Sequence, residues 1–435
     1  MTNTSLHTSS GRGLHVCFIT LGCAKNEVDS RTMAKRLTDS GIAVIDELDK
    51  ADCIIINTCS FIQEATEESL AAIFEAADLD SVQAGRAKIV VAGCMPARYG
   101  DELALELHEA GAFVPCSRED DIVEIICELF DVKPGQGSTS ELFEPSAYIK
   151  ISDGCDRFCS FCTIPFIRGR YHSYSLEDIT DEVEQALSRG AREIVLIAQD
   201  TGRWGQDFSE PSSLAALVDT LAQAYPHTWF RIMYIQPEGI TDELLETIAA
   251  YDNVCSYLDI PLQHCNSDLL QAMNRRGSAQ EYRELVDYIR ERVPGVTLRT
   301  TLIAGFPGED EAQFEELCNF LQDTEFDYVG VFPYSREEGT RAADFPDQID
   351  DELKLERAQT LRDLADTISH LRVSNRVGQE MDVLVLGFEE DGQLYGRCMC
   401  QAPEVDGVTY LSSGTPGEIR HIRIDNTLLY EMEGE

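Results

Sequence analysis

Three cysteines on one short segment are the clearest chemistry-bearing feature of the sequence. Cys155, Cys159 and Cys162 have the spacing C-x3-C-x2-C and directly follow an apolar, strand-like run. Three thiolates leave a tetrahedral zinc site one ligand short, but they can hold three irons of a 4Fe-4S cube and leave the fourth iron open. Zinc completed by a distant ligand such as His172, or buried cysteines that merely cluster, are the alternatives. The spacing favours an open iron–sulfur cluster.

Three further cysteines occupy equivalent places nearer the start of the chain. Cys23, Cys59 and Cys94 each follow a strand-like run and open a helical pattern. The carboxyl ends of parallel strands meet at one edge of a sheet, and helix N-termini there favour thiolate over thiol. We therefore predict a second three-thiolate site. We interpret as structural Cys17 and Cys53 in strands, Cys127 and Cys318 on helices, Cys398 and Cys400 on one strand face, and Cys265 beside His264.

The elements that must position these thiols alternate between strand and helix, which predicts an α/β protein of three domains. Residues 14–130 predict a helix-covered parallel sheet, and 131–147, rich in Gly, Pro and Ser, a linker. Residues 148–372 contain six strand–helix repeats, typical of a partial TIM-type barrel that is open on one side. Residues 374–435 predict a small antiparallel β-barrel. The predicted strands are 15–21, 52–57, 88–92, 148–152, 193–199, 229–235, 254–260, 297–306, 327–335, 381–388, 393–400, 421–424 and 427–432, and the helices include 65–77, 176–188, 310–323 and 350–372.

Composition restricts the partners. The 435 residues contain 35 basic and 78 acidic side chains, a net charge of −43, which disfavours phosphate backbones and anionic membranes and favours a basic partner. No run approaches the ~20 apolar residues of a membrane span, and the first residues lack the apolar segment of a signal peptide. We expect a cytoplasmic protein, in which its 15 cysteines are poor candidates for disulfides.

The cysteine loop at the top of a partial barrel resembles the radical S-adenosylmethionine enzymes. The resemblance implies that the open iron binds the amino and carboxylate groups of S-adenosylmethionine, and that an electron from the cluster breaks a carbon–sulfur bond to release a deoxyadenosyl radical. Phe161 matches the family's aromatic position. Gln199 and Asp200 stand where the family usually has Gly-Gly-Glu. These three residues are candidate S-adenosylmethionine contacts, with ordinary strand-end polar residues as the alternative for the last two.

Four segments together resemble the two-cluster methylthiotransferases over nearly the whole chain, and the final barrel resembles a TRAM domain. They are LGCAKNEVDS (21–30), NTCSFI (57–62), GCMPARY (93–99) and SDGCDRFCSFCTIPFIRG (152–169). The runs AKN and IPFIRG are similar to the branch that acts on ribosomal protein uS12. The resemblance assigns Cys155, Cys159 and Cys162 to the radical cluster, and Cys23, Cys59 and Cys94 to an auxiliary 4Fe-4S cluster.

The resemblance also implies the reaction and its partners. A hydrogen on the β-carbon of a uS12 aspartate is replaced by a methylthio group. One S-adenosylmethionine supplies the methyl group and a second supplies the radical, while the auxiliary cluster presents the sulfur. The implied partners are uS12 or the small ribosomal subunit, and an electron donor such as flavodoxin or ferredoxin. No residue beyond the clusters is assigned a catalytic role.

Charge provides a separate argument about the substrate. Residues 374–435 contain four basic and twelve acidic side chains. A module that grips tRNA should be basic, so tRNA adenosine methylthiolation is the less favoured alternative. An acidic barrel suits a basic ribosomal protein as substrate. The alternative explanation of its charge is that the proteins of the whole organism are acidic. A non-catalytic, cluster-bearing ribosome-binding or iron-sensing protein is the third reading.

Overall fold

The structure, a computed structural model, describes residues 13–135 and 143–435 of the chain, which divides into two compact units. The first unit consists of residues up to 141 together with the short segment Phe166–Arg168. The second consists of residues 142–165 and 169–435. Each unit is described below by itself.

The described part of the first unit is the predicted parallel sheet covered by helices, with strand order β2-β1-β3-β4-β5. Every residue of the central strand β3, CIIINT, is buried, as expected for a strand that is covered on both faces. The strands are β1 (His15–Thr20), β2 (Ala43–Val44), β3 (Cys53–Thr58), β4 (Lys88–Gly93) and β5 (Ala110–Pro115), and the helices are α1 (Ala24–Asp39), α2 (Gln63–Ala77), α3 (Asp80–Gln83), α4 (Cys94–Glu106) and α5 (Ile122–Phe130).

The predicted linker 131–147 is only partly described, because residues 136–142 lie outside the described residues. Its last two residues, Ser146 and Ala147, were wrongly assigned to it. They begin the first strand of the second unit, because they pair in parallel with Glu193 and Ile194.

The six predicted barrel strands are all present in the second unit, but they form two parallel sheets of three, in the orders β10-β9-β6 and β11-β12-β13. A single parallel bridge between Phe230 and Val254 joins them. The strand predicted at 254–260 is reduced to three residues at this join. The strands are β6 (Ser146–Lys150), β7 (Ser152–Asp153), β8 (His172–Ser173), β9 (Glu193–Ile197), β10 (Trp229–Ile232), β11 (Tyr257–Asp259), β12 (Thr297–Ala304) and β13 (Tyr328–Pro333).

The helices of the second unit follow the sequence periodicity and several have capped N-termini. Ser175 and Asp178 form a reciprocal capping box, as do Asp310 and Gln313. Apolar side chains of the helices and strands form one large buried core. The helices are α7 (Leu176–Ser188), α8 (Leu214–Ala224), α9 (Asp242–Ala250), α10 (Ser267–Ala272), α11 (Ala279–Arg292), α12 (Glu311–Thr324) and α13 (Asp351–Ser374), and the short helix α6 (Ile164–Ile167) has two residues in each unit.

The C-terminal residues form the predicted small β-barrel, which is closed in the order β14-β15-β16-β18-β17. Its strands are β14 (Glu380–Phe388), β15 (Leu394–Cys398), β16 (Thr409–Leu411), β17 (Ile419–Thr427) and β18 (Met432–Gly434). Three details differ from the prediction. Strand β16 was missed, the run 427–432 is divided between β17 and β18, and β15 ends at Cys398. Cys400 therefore lies in the following turn and does not share a strand face with Cys398.

This barrel packs against the amino ends of the parallel strands through buried charged groups. Glu193, the first residue of β9, lies between Arg231 of β10 and Arg397 of β15, and all three side chains are buried. The Arg231 guanidinium also donates to the backbone carbonyls of Cys398 and Met399. Buried charges of opposite sign therefore join the two barrels.

Two further buried contacts continue this interface along the other sheet. The hydroxyl of Tyr257, the first residue of β11, donates to Asp406 at 2.5 Å. Arg376 donates to the hydroxyl of Tyr328, the first residue of β13, at 2.8 Å. The carboxyl ends of the strands are thus left for other contacts. No helix within the described residues is long and apolar enough to cross a membrane.

Candidate cluster sites

Cys23, Cys59 and Cys94 come together at the carboxyl edge of the first-unit sheet. The amide oxygen of Asn26 lies 4.0 Å from the Cys23 sulfur and 3.7 Å from the Cys94 sulfur. Burial, together with the nearby thiols of Cys94 and Cys23, raises the pKa of Cys59 to about 12. Neighbouring thiolates repel one another, so these thiols resist ionising together. A bound metal cluster would compensate for that repulsion.

Two glycines allow the strand ends to approach closely. Gly22 has φ +94°, and a Cβ there would lie 2.6 Å from the Cβ of Cys59. Gly93 has φ +91°, and a Cβ there would lie 2.2 Å from the side-chain oxygen of Asn57. Asn26 then ties the strand ends together, because its amide group donates to the carbonyl oxygens of Leu21 and Thr58. The close approach of the strand ends therefore positions the three cysteines.

A fourth cysteine, Cys116, lies beside this site and was missed in the sequence. It directly follows β5, as Cys94 directly follows the neighbouring strand β4, and the two sulfurs are 4.0 Å apart. The hydrogen bond from the Cys116 thiol, with Arg168 nearby, lowers the pKa of Cys94 to about 7. The sequence did carry a signal, since Cys116 also stands at the end of an apolar run, AFVP.

Arg168 is the second residue of this site that the sequence analysis did not identify. It belongs by its contacts to the first unit, and its side chain is buried in an ion pair with Asp29 at 2.8 Å. The same guanidinium nitrogen lies 2.9 Å from the Asn26 amide oxygen and 3.9 Å from the Cys94 sulfur. A buried cation beside thiolates favours an electron-rich, negatively charged group.

Cys155, Cys159 and Cys162 lie on a loop of the second unit whose base is closed by the antiparallel strands β7 and β8. All three thiols are partly exposed. Burial raises the pKa of both Cys155 and Cys162, and the charge of Cys159 adds to both effects. As in the first unit, a metal cluster would compensate for bringing three thiolates together.

The loop is fixed by the backbone and by a helix end. Gly154 has φ +72°, and a Cβ there would lie 2.2 Å from the carbonyl oxygen of Arg170. The backbone N–H of Cys155 donates to the carbonyl of Gly169 at 3.1 Å. The amide of Asn274, shortly after α10, donates to the carbonyls of Arg157 and Phe158. The cysteine loop is therefore held from both sides.

The three candidate S-adenosylmethionine contacts differ in their surroundings. Phe161 packs against an apolar cluster that includes Met273 and Phe306. Gln199 follows β9, and both polar atoms of its amide are buried without a hydrogen-bond partner among the described residues. Asp200 accepts a hydrogen bond from Arg157 at 2.6 Å through one oxygen, and its other oxygen has no such partner.

Asp200 is also electrostatically linked to the cysteine loop. Burial raises its pKa, although Arg157 acts in the opposite direction, and its charge contributes to the raised pKa of Cys155. A buried amide, and a carboxylate oxygen with unused hydrogen-bonding capacity whose charge acts on the Cys155 thiol, fit a polar ligand. Of the three candidates, Gln199 and Asp200 therefore have the stronger structural support.

No group of three or more His, Cys, Asp or Glu side chains in the described ranges is close enough to hold a single metal ion. His172 is exposed, and its ring contacts the carbonyl of Arg170.

Known families match all three parts of the chain. Residues 15–114 match a family described as uncharacterized protein family UPF0004, residues 149–321 match the radical SAM superfamily, and residues 377–435 match the TRAM domain. Radical SAM membership implies an iron–sulfur cluster and S-adenosylmethionine as cofactors. The three thiols of the loop fit a cluster, and the buried polar atoms of Gln199 and Asp200 that lack partners fit a polar cofactor.

Solved structures support the central fold. A radical S-adenosylmethionine methyltransferase, TsrM from Kitasatospora setae, is 15% identical with a TM-score of 0.56, covering 76% of this chain and 77% of that one. The cobalamin-dependent S-adenosylmethionine radical enzyme OxsB is 12% identical with a TM-score of 0.52, covering 82% of this chain and 56% of that one. At such low identity these likenesses concern the fold alone.

Full-length relatives are much closer in sequence. The protein named ribosomal protein uS12 methylthiotransferase RimO from Geobacter sulfurreducens is 41% identical, over 97% of this chain and 98% of its own. Its namesake from Syntrophus aciditrophicus is 40% identical over 98% of each chain. With this identity over nearly the whole length, the chain belongs to the RimO family of radical S-adenosylmethionine methylthiotransferases.

Proposed function

We propose that this enzyme replaces a hydrogen on the β-carbon of an aspartate in ribosomal protein uS12 with a methylthio group. The main support is that the chain carries two separate groups of three cysteines and that its full-length relatives are named ribosomal protein uS12 methylthiotransferase. In this proposal Cys155, Cys159 and Cys162 hold the radical cluster. Cys23, Cys59 and Cys94 hold an auxiliary 4Fe-4S cluster that presents the sulfur.

The chemistry requires a radical because the aspartate β-carbon is a poor carbon acid for a general base. The bound cluster and S-adenosylmethionine supply that radical. The protein's part is to bind and orient. The Gln199 amide can both donate a hydrogen bond to S-adenosylmethionine and accept one from it. The unused oxygen of Asp200 can accept another. Arg157 holds the Asp200 carboxylate in place.

In the first unit, the contribution of the protein is electrostatic. Arg168 places a buried positive charge near the Cys94 sulfur, paired with Asp29. Hydrogen bonds and charge around cluster sulfurs tune reduction potential. We infer that Arg168 stabilises the negatively charged auxiliary cluster.

The surface of the C-terminal barrel supports a basic protein as substrate. Of the four arginines in residues 374–435, Arg376 and Arg397 are buried in contacts with the central barrel. Only Arg420 and Arg423 remain at the surface, whereas eleven of the twelve carboxylates, all but Asp406, are at least partly exposed. This surface repels a phosphate backbone more strongly than the composition alone implies, so it disfavours tRNA and suits a basic ribosomal protein.

Two further parts of the proposal concern the surroundings of the enzyme. A low-potential one-electron donor such as flavodoxin or ferredoxin would reduce the radical cluster, which lies on a partly exposed loop. The substrate would be uS12 or the small ribosomal subunit, which places the enzyme in the cytoplasm.

Mass spectrometry of uS12 and of total tRNA nucleosides, from cells with and without this gene, tests the substrate. We expect a methylthio mass shift on one uS12 aspartate that disappears with the gene and returns when the gene is restored. Unmodified uS12 in cells that carry the gene, together with gene-dependent methylthio-adenosine, would move the enzyme to tRNA and refute the proposal.

Two cysteine variants test the division of labour between the clusters. Cys59→Ala should retain S-adenosylmethionine cleavage under anaerobic reducing conditions but lose sulfur insertion, and Cys159→Ala should lose both. Cys127→Ala, on α5 of the first unit, is the matched control and should retain both. Full methylthiolation and full iron content in Cys59→Ala would refute the auxiliary assignment. A wild-type protein with both clusters that cleaves no S-adenosylmethionine would instead be non-catalytic.

A further inference from the structure

Cys116 is a fourth thiol at the auxiliary site, and the family resemblance assigns it no role. It lies beside Cys94 because of strand register: Gly93, the last residue of β4, pairs with Pro115, the last residue of β5, and each cysteine directly follows its strand. Neighbouring strands lie about 4.8 Å apart, within the range of about 4.4–6.8 Å between Cα atoms that a disulfide requires. The sulfurs are already 4.0 Å apart.

The two thiols differ in access. Cys94 is 4% exposed, whereas Cys116 is partly exposed. Cys23 is more exposed than either, so access alone does not select the first thiol to be oxidised, but a sulfenic acid formed on one thiol of the pair has the other sulfur next to it. An accessible thiol with a second thiol in contact is the arrangement in which a sulfenic acid is converted to a disulfide rather than oxidised further.

We propose that Cys94 and Cys116 form a reversible disulfide when the auxiliary cluster is absent, and that this bond blocks rebuilding of the cluster until a thiol reductant opens it. The proposal rests on Cys94 being an auxiliary-cluster ligand, as assigned above. With hydrogen peroxide as oxidant, one thiol of the pair becomes a sulfenic acid and one water is released. The other thiol then displaces a second water and the sulfur–sulfur bond forms. Two thiols are oxidised and one peroxide is reduced.

The consequence follows from the ligand count. In the disulfide, the Cys94 sulfur is bonded to Cys116, so only two of the three cluster ligands remain to bind iron. It also protects Cys94 from irreversible oxidation to sulfinic acid, because the disulfide can be reduced again. A bound cluster removes the Cys94 thiol from this reaction, so the disulfide marks the cluster-free chain.

Peptide mapping without reduction is the direct test. The full-length chain, freed of iron with a chelator and treated with hydrogen peroxide, should give one cross-linked peptide pair containing Cys94 and Cys116, two hydrogen atoms lighter than the separate peptides. Dithiothreitol should restore both peptides. The cross-link should be lost in Cys116→Ser and retained in the control Cys127→Ser. Recovery of Cys94 as a free thiol, as a sulfinic acid or linked to another cysteine would overturn the proposal.

Iron rebinding tests the blocking effect. In a full-length chain with Cys155, Cys159 and Cys162 replaced by alanine, bound iron reports the auxiliary site alone. After one equivalent of diamide, which joins thiols into disulfides without forming sulfinic acid, this chain should rebind iron only once dithiothreitol is added, whereas the same chain with Cys116→Ser should rebind iron without it. Equal dependence on dithiothreitol in both chains would refute the block. Neither readout involves uS12, so failure of the proposed substrate would leave both results unchanged, and failure of the auxiliary assignment would show as no iron rebinding in either chain.

Discussion

Replacing Glu193 with glutamine should destabilise the attachment of the C-terminal barrel to the central one. Glu193 is fully buried between Arg231 and Arg397. Burial opposes its ionisation, but the two arginines outweigh burial and lower the pKa of Glu193 from 4.5 to about 2. Glu193→Gln preserves the shape of the side chain, removes its charge and leaves two buried cations without their shared partner.

The size of the effect can be worked out in two ways. One pKa step corresponds to about 1.4 kcal/mol, so lowering the pKa from 4.5 to about 2 corresponds to about 3 kcal/mol. Removing one partner of a buried ion pair costs about 3–5 kcal/mol. We therefore expect Glu193→Gln to lower the free energy of unfolding by about 3 kcal/mol at neutral pH.

Chemical denaturation of the full-length protein at several pH values is the assay. Because the pKa of Glu193 is lowered on folding, its stabilisation is present above about pH 4.5 and is lost as the pH falls towards 2. The difference between wild type and variant should therefore shrink in acid. Glu418→Gln is the control, because Glu418 forms an exposed pair with Arg420 at 3.6 Å that should contribute at most about 1 kcal/mol. If Glu193→Gln were no more destabilising than Glu418→Gln, the buried charges would not be what joins the barrels.

Three substitutions, the first with a matched control, test other parts of the structure. Gly154→Ala should abolish iron binding at the radical site, because its Cβ would lie 2.2 Å from a carbonyl oxygen; Gly169→Ala, also at positive φ but with nothing within 4 Å, should retain the iron and cost only about 1–2 kcal/mol. Gly22→Ala should lose auxiliary iron yet retain S-adenosylmethionine cleavage, since its Cβ would meet Cys59 at 2.6 Å; equal iron in variant and wild type would contradict this. Burial raises the pKa of Asp406 from 3.8 to about 6, so its contribution to stability should be lost as the pH rises through that range. The Tm of wild type should accordingly fall relative to that of Asp406→Asn between about pH 4 and pH 7, and parallel Tm curves would show that Asp406 is not the titrating group.

The parallel architecture was predictable because its signal is local. Buried runs such as the one that forms β3 alternate with amphipathic helices, and a cysteine at the end of such a run is visible in the sequence. Cys116 was within reach of the same argument, but its run is less apolar and it opens a short 3-10 helix rather than an α-helix.

The charged interface could not be predicted in the same way, because its partners are far apart in the chain. Glu193 and Arg397 are 204 residues apart, and each reads locally as an ordinary surface charge at a strand. The interruption between β10 and β11 was equally hidden. It depends on how two strands meet in space, and the apolar run at 254–260 predicts a longer strand than the three residues that form one.

The buried contacts between the two barrels limit how this protein can be recombined. Arg397 and Asp406 of the C-terminal barrel, and Arg376 just before its first strand, are each matched to a particular buried side chain at the start of a central strand. A chimaera that received the corresponding barrel from a relative without these three residues would bury Glu193, Tyr257 and Tyr328 without their partners. The C-terminal barrel is therefore not an interchangeable cassette. Transplanting it to change the substrate would require exchanging the residues on both sides of the interface between the two barrels.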